Sequence, residues 1–158
     1  MTTDQLFRLA VRIAAEPAVW RPVLHHDPDS RWHVRLHRDA DHEVWLLGWT
    51  AEQEVELHDH GGSTGAFAVV QGQLVEDHVG PRGPRMRRWP AGTASGFPAA
   101  FIHHVWNPGP APAASIHVYS PPLSSMTYYE RAAGGALWAA RTERFDEAAA
   151  TAHGELRP

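Results

Sequence analysis

The sequence contains no cysteine and no lysine. Without cysteine there are no disulfides, no thiolate metal sites and no thiol nucleophile. Without lysine, all 14 basic residues are arginine, and Schiff-base and P-loop lysine chemistry is excluded. An excess of positive charge is also missing. The formal net charge of -4 argues against a nucleic-acid-binding face. No stretch approaches the roughly 18 consecutive apolar residues of a membrane span. Met1 to Trp20 lacks the basic start and apolar run of a signal peptide. The expectation is a soluble, cytoplasmic protein, a monomer or weak homo-oligomer, with small molecules as its partners.

The 158 residues, 43% hydrophobic and 20% charged, fit one domain over 1–158. A chain of this length can bury roughly 70% of its unfolded surface. The unusual count is 12 histidines, against 3 methionines and 3 tyrosines. A chain rich in imidazole and empty of thiol directs attention to histidine as a metal ligand.

Thr2 and Gln5 have capping-box spacing, and Leu6, Leu9, Ala10 and Ile13 recur at helical spacing until Pro17. A short N-terminal helix over about 3–16 follows. After Asp27-Pro28-Asp29-Ser30 the period becomes two. Trp32, Val34 and Leu36 fall on one face, and His33, Arg35 and His37 on the other. Strand-like segments continue at 43–50, 54–60, 66–71, 73–78, 85–89, 101–106 and 113–119, separated by Gly and Pro turns. This pattern predicts an all-β sandwich or barrel with its core over about 31–129. The tail from 136, Ala-rich over 146–153, reads as helical.

The sharpest local signal is His58-Asp59-His60. On a strand, residues two apart share a face at about 7 Å, so both imidazoles could reach one ion. Val55 and Leu57 have the opposite parity and would pack outward. Further on, His103 and His104 are rival third ligands, and Asn107 lies four residues after His103.

With Gly48, Gly72 and Pro90-Ala91-Gly92, these residues resemble the two motifs of the cupin superfamily, a double-stranded β-helix or jelly-roll barrel. That resemblance makes His103, with its Asn107, the third ligand. Cupins commonly place a Glu ligand where this chain has Gly65, which cannot ligate. Three neutral imidazoles leave the full charge on a divalent ion and several open positions. Such a centre suits an anionic chelating substrate and dioxygen.

Ser115-Ile116-His117-Val118-Tyr119-Ser120-Pro121-Pro122 narrows the resemblance. Together with His58-Asp59-His60 and His103-x-Val105-x-Asn107, it is similar to the cysteine dioxygenase family, from about Arg31 to Tyr129. The resemblance implies one iron(II) per chain on His58, His60 and His103, and a place in cysteine catabolism. Cysteine would bind through thiolate and amine, and both atoms of dioxygen would be added to sulfur. The period of two independently puts Ser115, His117 and Tyr119 on one strand face, opposite Ile116 and Val118. In the family this row is a relay: Tyr119 directs its hydroxyl at substrate or oxygen, His117 orients it, and Ser115 stands behind.

Arg35 is the candidate for the substrate carboxylate, which an arginine can hold by two parallel bonds. Arg31 and Arg38 are the alternatives. The family's usual tyrosine two residues earlier is His33 here. Related 3-mercaptopropionate dioxygenases carry Gln at the position of Arg35, so Arg35 implies cysteine. The rival readings are a dioxygenase of another small thiol, such as 3-mercaptopropionate, or a non-oxidising metal-binding cupin. Animal members join a Cys to the relay tyrosine. Gly65 stands at that position, so the crosslink cannot form.

Trp32, Trp45, Trp49, Phe67 and Trp106 are expected in the core, with Trp49 able to line the cavity wall. His25, His26, His37, His42, His78 and His153 are expected at the surface. The arginines from Arg82 to Arg88 are expected on an exposed hairpin.

Overall fold

A computed structural model describes residues 1–80 and 83–145. Helix α1 (Thr3–Ala14) starts on the expected capping box: Gln5 N–H donates to Thr2 Oγ1, and Thr2 N–H donates to Gln5 Oε1 at 2.7 Å. A short helix α2 (Pro17–Trp20) begins at the proline that ends the first run. No helix among the described residues is long and apolar enough to cross a membrane.

Among the described residues eleven strands follow: β1 (His33–Arg38), β2 (Glu43–Trp49), β3 (Glu54–His58), β4 (Thr64–Gln71), β5 (Gln73–Gly80), β6 (Gly83–Pro90), β7 (Ala94–Phe97), β8 (His103–Trp106), β9 (Ala113–Ser120), β10 (Ser125–Arg131) and β11 (Leu137–Arg144). They form a five-stranded sheet, β1-β2-β9-β4-β7, and a six-stranded sheet, β11-β10-β3-β8-β5-β6. All the pairings are antiparallel.

Strand β9 organises both sides of the smaller sheet. Its eight residues are all buried. Ile116 and Val118 face one cluster with Leu6 and Ala10 of α1, Leu46 and Ala66. Tyr119, of opposite parity, belongs to the inter-sheet cluster with Trp49, Phe67, Phe97 and Val105. The helix therefore covers the outer face, and the polar parity of β9 points between the sheets.

Three expectations change. The tail from 136 is not helical where it is described: β11 pairs with β10 along its length, so sheet pairing overrides helix propensity. The Ala-rich 146–153 segment, His153 and Arg82 lie outside the described residues. Strand β3 ends at His58, and its register shifts between Val55 and His58. That irregularity cancels the assumed parity, so Val55 is buried in the inter-sheet core instead of facing outward.

Candidate metal centre and its cavity

His58 on β3 and His103 on β8 are cross-strand partners. His60 follows in the turn after β3 and bends back toward them. All three are buried, and one ligand nitrogen from each lies within 4.8 Å of the others. His58 Nδ1–H donates to Glu56 O at 2.7 Å, which leaves its Nε2 lone pair free. His103 Nδ1–H donates to Glu76 Oε1 at 2.7 Å, with the same result. The Nε2 atoms of His60 and His103 stand 3.3 Å apart. Two imidazole lone pairs converging in a dry interior repel unless a cation or proton sits between them. Burial, then the neighbouring imidazoles, hold His58 and His60 well below the ordinary histidine range, so both are neutral. The three residues fit a divalent transition metal.

His104 does not join them. It has the opposite parity and meets Glu54 Oε2 at 2.6 Å on the outer side, with its ring stacked on Trp106. Asn107 acts through the backbone. Its Nδ2 donates to Trp49 O, Thr50 O and Ala111 O, clamping the loops at the ends of β2 and β8.

Sequence reasoning missed Glu76. This carboxylate is buried on β5 and accepts from His103 and, at 3.0 Å, from Trp89 Nε1. Strand β5 pairs with β8, placing Glu76 opposite Val105, diagonal to His103. Such a carboxylate fixes the tautomer and orientation of a metal-binding imidazole. His78 is a correction as well. It faces His103 across the strand pair, packs on Phe101 at 5.2 Å, and is half-buried instead of solvated.

His58 and His103 border a cavity of about 280 Å³ between the sheets, with His60 packed beside them. His117 and Tyr119 of β9 line its wall, with Ser115 buried behind His117. Ser115 Oγ lies 2.9 Å from His117 Nε2, and His117 Nδ1 lies 3.2 Å from the Tyr119 hydroxyl. Burial pushes His117 down to about 3, with His103 and Arg31 adding to the effect. Burial likewise raises the Tyr119 phenol. Both groups are therefore neutral through the physiological range. The ring of Tyr119 is 5.3 Å from that of His60.

Arg31, His33, Arg35 and Arg38 all line the cavity. Arg38 is engaged: it pairs at 2.9 Å with the buried Glu43, which also accepts from Leu123 N–H. Arg35 lies over the ring of Trp45. Arg31 lies over Trp49, and its Nε is buried without a partner among the described residues. Burial lowers the Arg31 pKa, opposed mainly by Tyr128 and Tyr119. Trp49, expected in the core, lies deep in the inter-sheet cluster, lines the cavity and donates its indole N–H to Ser115.

A sequence profile of the family described as cysteine dioxygenase type I matches residues 2–132. Among solved structures, a protein of Thermus thermophilus aligns at TM-score 0.58 and 20% identity, over 65% of this chain and 93% of that one. A Klebsiella pneumoniae protein with a double-stranded β-helix domain aligns at 0.57 and 17%, over 64% and 80%. A cupin superfamily protein of Desulfitobacterium hafniense aligns at 0.56 and 12%, over 65% and 87%. These likenesses show the cupin fold.

Proposed function

We propose, on the premise that the chain belongs to the cysteine dioxygenase type I family, that it is an iron(II)-dependent thiol dioxygenase converting L-cysteine and dioxygen to cysteine sulfinic acid. One observation carries the reading. His58 and His103 of the buried three-histidine group, His117 and Tyr119 of the β9 row, and the arginines from the β1 region border the same cavity. A metal, a proton-bearing hydroxyl and an anion clamp are what a thiol carboxylic acid needs.

Iron(II) on His58, His60 and His103 would supply the thiolate binding point and the activation of dioxygen. The protein's own groups do the rest. Arg35, with Arg31 deeper on Trp49, draws the substrate carboxylate into the cavity and orients the thiol. Tyr119 offers a hydrogen bond to the reacting atoms, and neutral His117 holds the phenol in place. Val55, Val105 and Leu123 keep bulk water from the sulfur. The reaction balances without a reductant, because sulfur gives up the four electrons that dioxygen accepts.

Oxygen-electrode traces of anaerobically iron-loaded protein with a panel of thiols test this. Cysteine should give the highest kcat/KM. A higher value for 3-mercaptopropionate would move the substrate but keep the chemistry. No uptake with any thiol would leave a metal-binding cupin.

A further inference from the structure

Four side chains form one hydrogen-bonded line in the inter-sheet core. Trp49 Nε1–H donates to Ser115 Oγ at 2.9 Å. Ser115 Oγ lies 2.9 Å from His117 Nε2, and His117 Nδ1 lies 3.2 Å from the Tyr119 hydroxyl. All four residues are buried. A hydroxyl can donate or accept, and a neutral imidazole carries one N–H, so the protons could run along this line in two directions.

In one direction Ser115 donates to His117 Nε2, and His117 Nδ1–H donates to the Tyr119 oxygen. The phenolic proton is then left for the cavity. In the other, Tyr119 donates to Nδ1, and Nε2–H donates to Ser115. The serine proton is then stranded. Its oxygen already receives the indole N–H, and the indole nitrogen cannot accept. Among the described residues Ser115 Oγ has no third partner, and at 0% exposure bulk solvent does not reach it. Buried orphan protons are strongly disfavoured. Neutral His117 supports only these two arrangements.

We propose that Trp49 is a positioning residue that sets the direction of this line. Its indole N–H makes Ser115 the donor to His117 Nε2, holds His117 in its Nδ1–H tautomer, and turns the Tyr119 O–H toward the cavity. Tyr119 is thereby a hydrogen-bond donor poised for an acceptor atom of the substrate.

The test is 15N NMR of the full-length chain in its diamagnetic zinc-loaded form near pH 7, with the His117 signals identified by their loss in His117→Gln. His117 should be the Nδ1–H tautomer by about ten to one or more. An Nε2–H tautomer, or an even mixture, would overturn the proposal. In Trp49→Phe the space left by the indole N–H admits a water that can take the serine proton, so the ratio should fall at least about five-fold. An unchanged ratio in a folded Trp49→Phe protein would remove Trp49 from the line's control. Should that variant fail to fold, the wild-type tautomer alone decides. A kinetic arm rests on the thiol dioxygenase reading. Trp49→Phe should lower kcat and oxygen coupling with KM within about two-fold. Added to Tyr119→Phe, it should cost nothing more; additive losses would contradict a shared line. Absence of oxygen uptake in the wild type would defeat the dioxygenase reading and leave the tautomer test standing.

Discussion

Phe97 fills the space that a side chain at Gly65 would need. A Cβ built on Gly65 would come within 2.3 Å of Phe97 Cζ, and within 3.1 Å of Tyr119 Cδ1. Phe97 cannot yield freely, because its ring is buried and stacked on His60 at 4.6 Å between centroids. Gly65 also faces Tyr119 across the β4–β9 pair. The ring thus takes the place of a crosslink between these positions. Gly65→Cys should be destabilised by about 1–3 kcal/mol from overpacking. Intact-mass analysis after turnover should show no loss of two hydrogens. In Gly65→Cys with Phe97→Leu, room opens, and a species lighter by two hydrogens should accumulate. A crosslink in the single variant would contradict this packing.

Metal content separates the ligands from their supports. His58→Ala, His60→Ala and His103→Ala should each lose most bound iron by elemental analysis, and His104→Ala should keep it. Glu76→Gln keeps the shape but removes the charge facing His103 Nδ1–H. It should weaken metal affinity by about 10–100-fold in a chelator competition. Wild-type affinity in Glu76→Gln would reduce that residue to packing.

The β9 row was legible from alternation alone, because period two survives in a regular strand. His103 was separable from His104 only through the motif resemblance, by Asn107 four residues on; their opposite parity is evident in the structure. Glu76 was not legible. It lies 27 residues from His103 and meets it only because β5 pairs with β8. The inward turn of Val55 was hidden for a related reason: the register shift before His58 breaks the alternation that sequence reading relies on. Strand β11 was hidden by its alanines, and pairing with β10 decided its conformation.

The two arginines divide by substrate. Arg31→Gln and Arg35→Gln should each raise KM for cysteine by about 10–100-fold, the loss of a charge-assisted bond of about 1.5–3 kcal/mol. Cysteamine, which has no carboxylate, should change less than about three-fold. Equal losses for both thiols would make either arginine structural. Arg38→Gln should instead lower stability, because it strands the buried Glu43.

His117 predicts a pH effect on folding. Its folded pKa lies far below the ordinary 6.5, so the unfolded chain takes up the proton first as pH falls. The penalty is absent above pH 6.5 and grows steadily below it. Between pH 7 and pH 5 this group should cost about 2 kcal/mol. In urea unfolding of the metal-free protein, wild type should lose about that much more over this interval than His117→Gln. Equal losses would mean that His117 is already protonated in the fold.

The central claim is that both oxygen atoms of one dioxygen molecule end on the sulfur of a small thiol held against His58, His60, His103 and Tyr119. Turnover of cysteine by the iron-loaded protein under 18O2, read by mass spectrometry of the product, tests it most directly. The account predicts cysteine sulfinic acid heavier by four mass units, formed one for one with the oxygen consumed. A product carrying one label or none, or cystine in place of sulfinate, would contradict it.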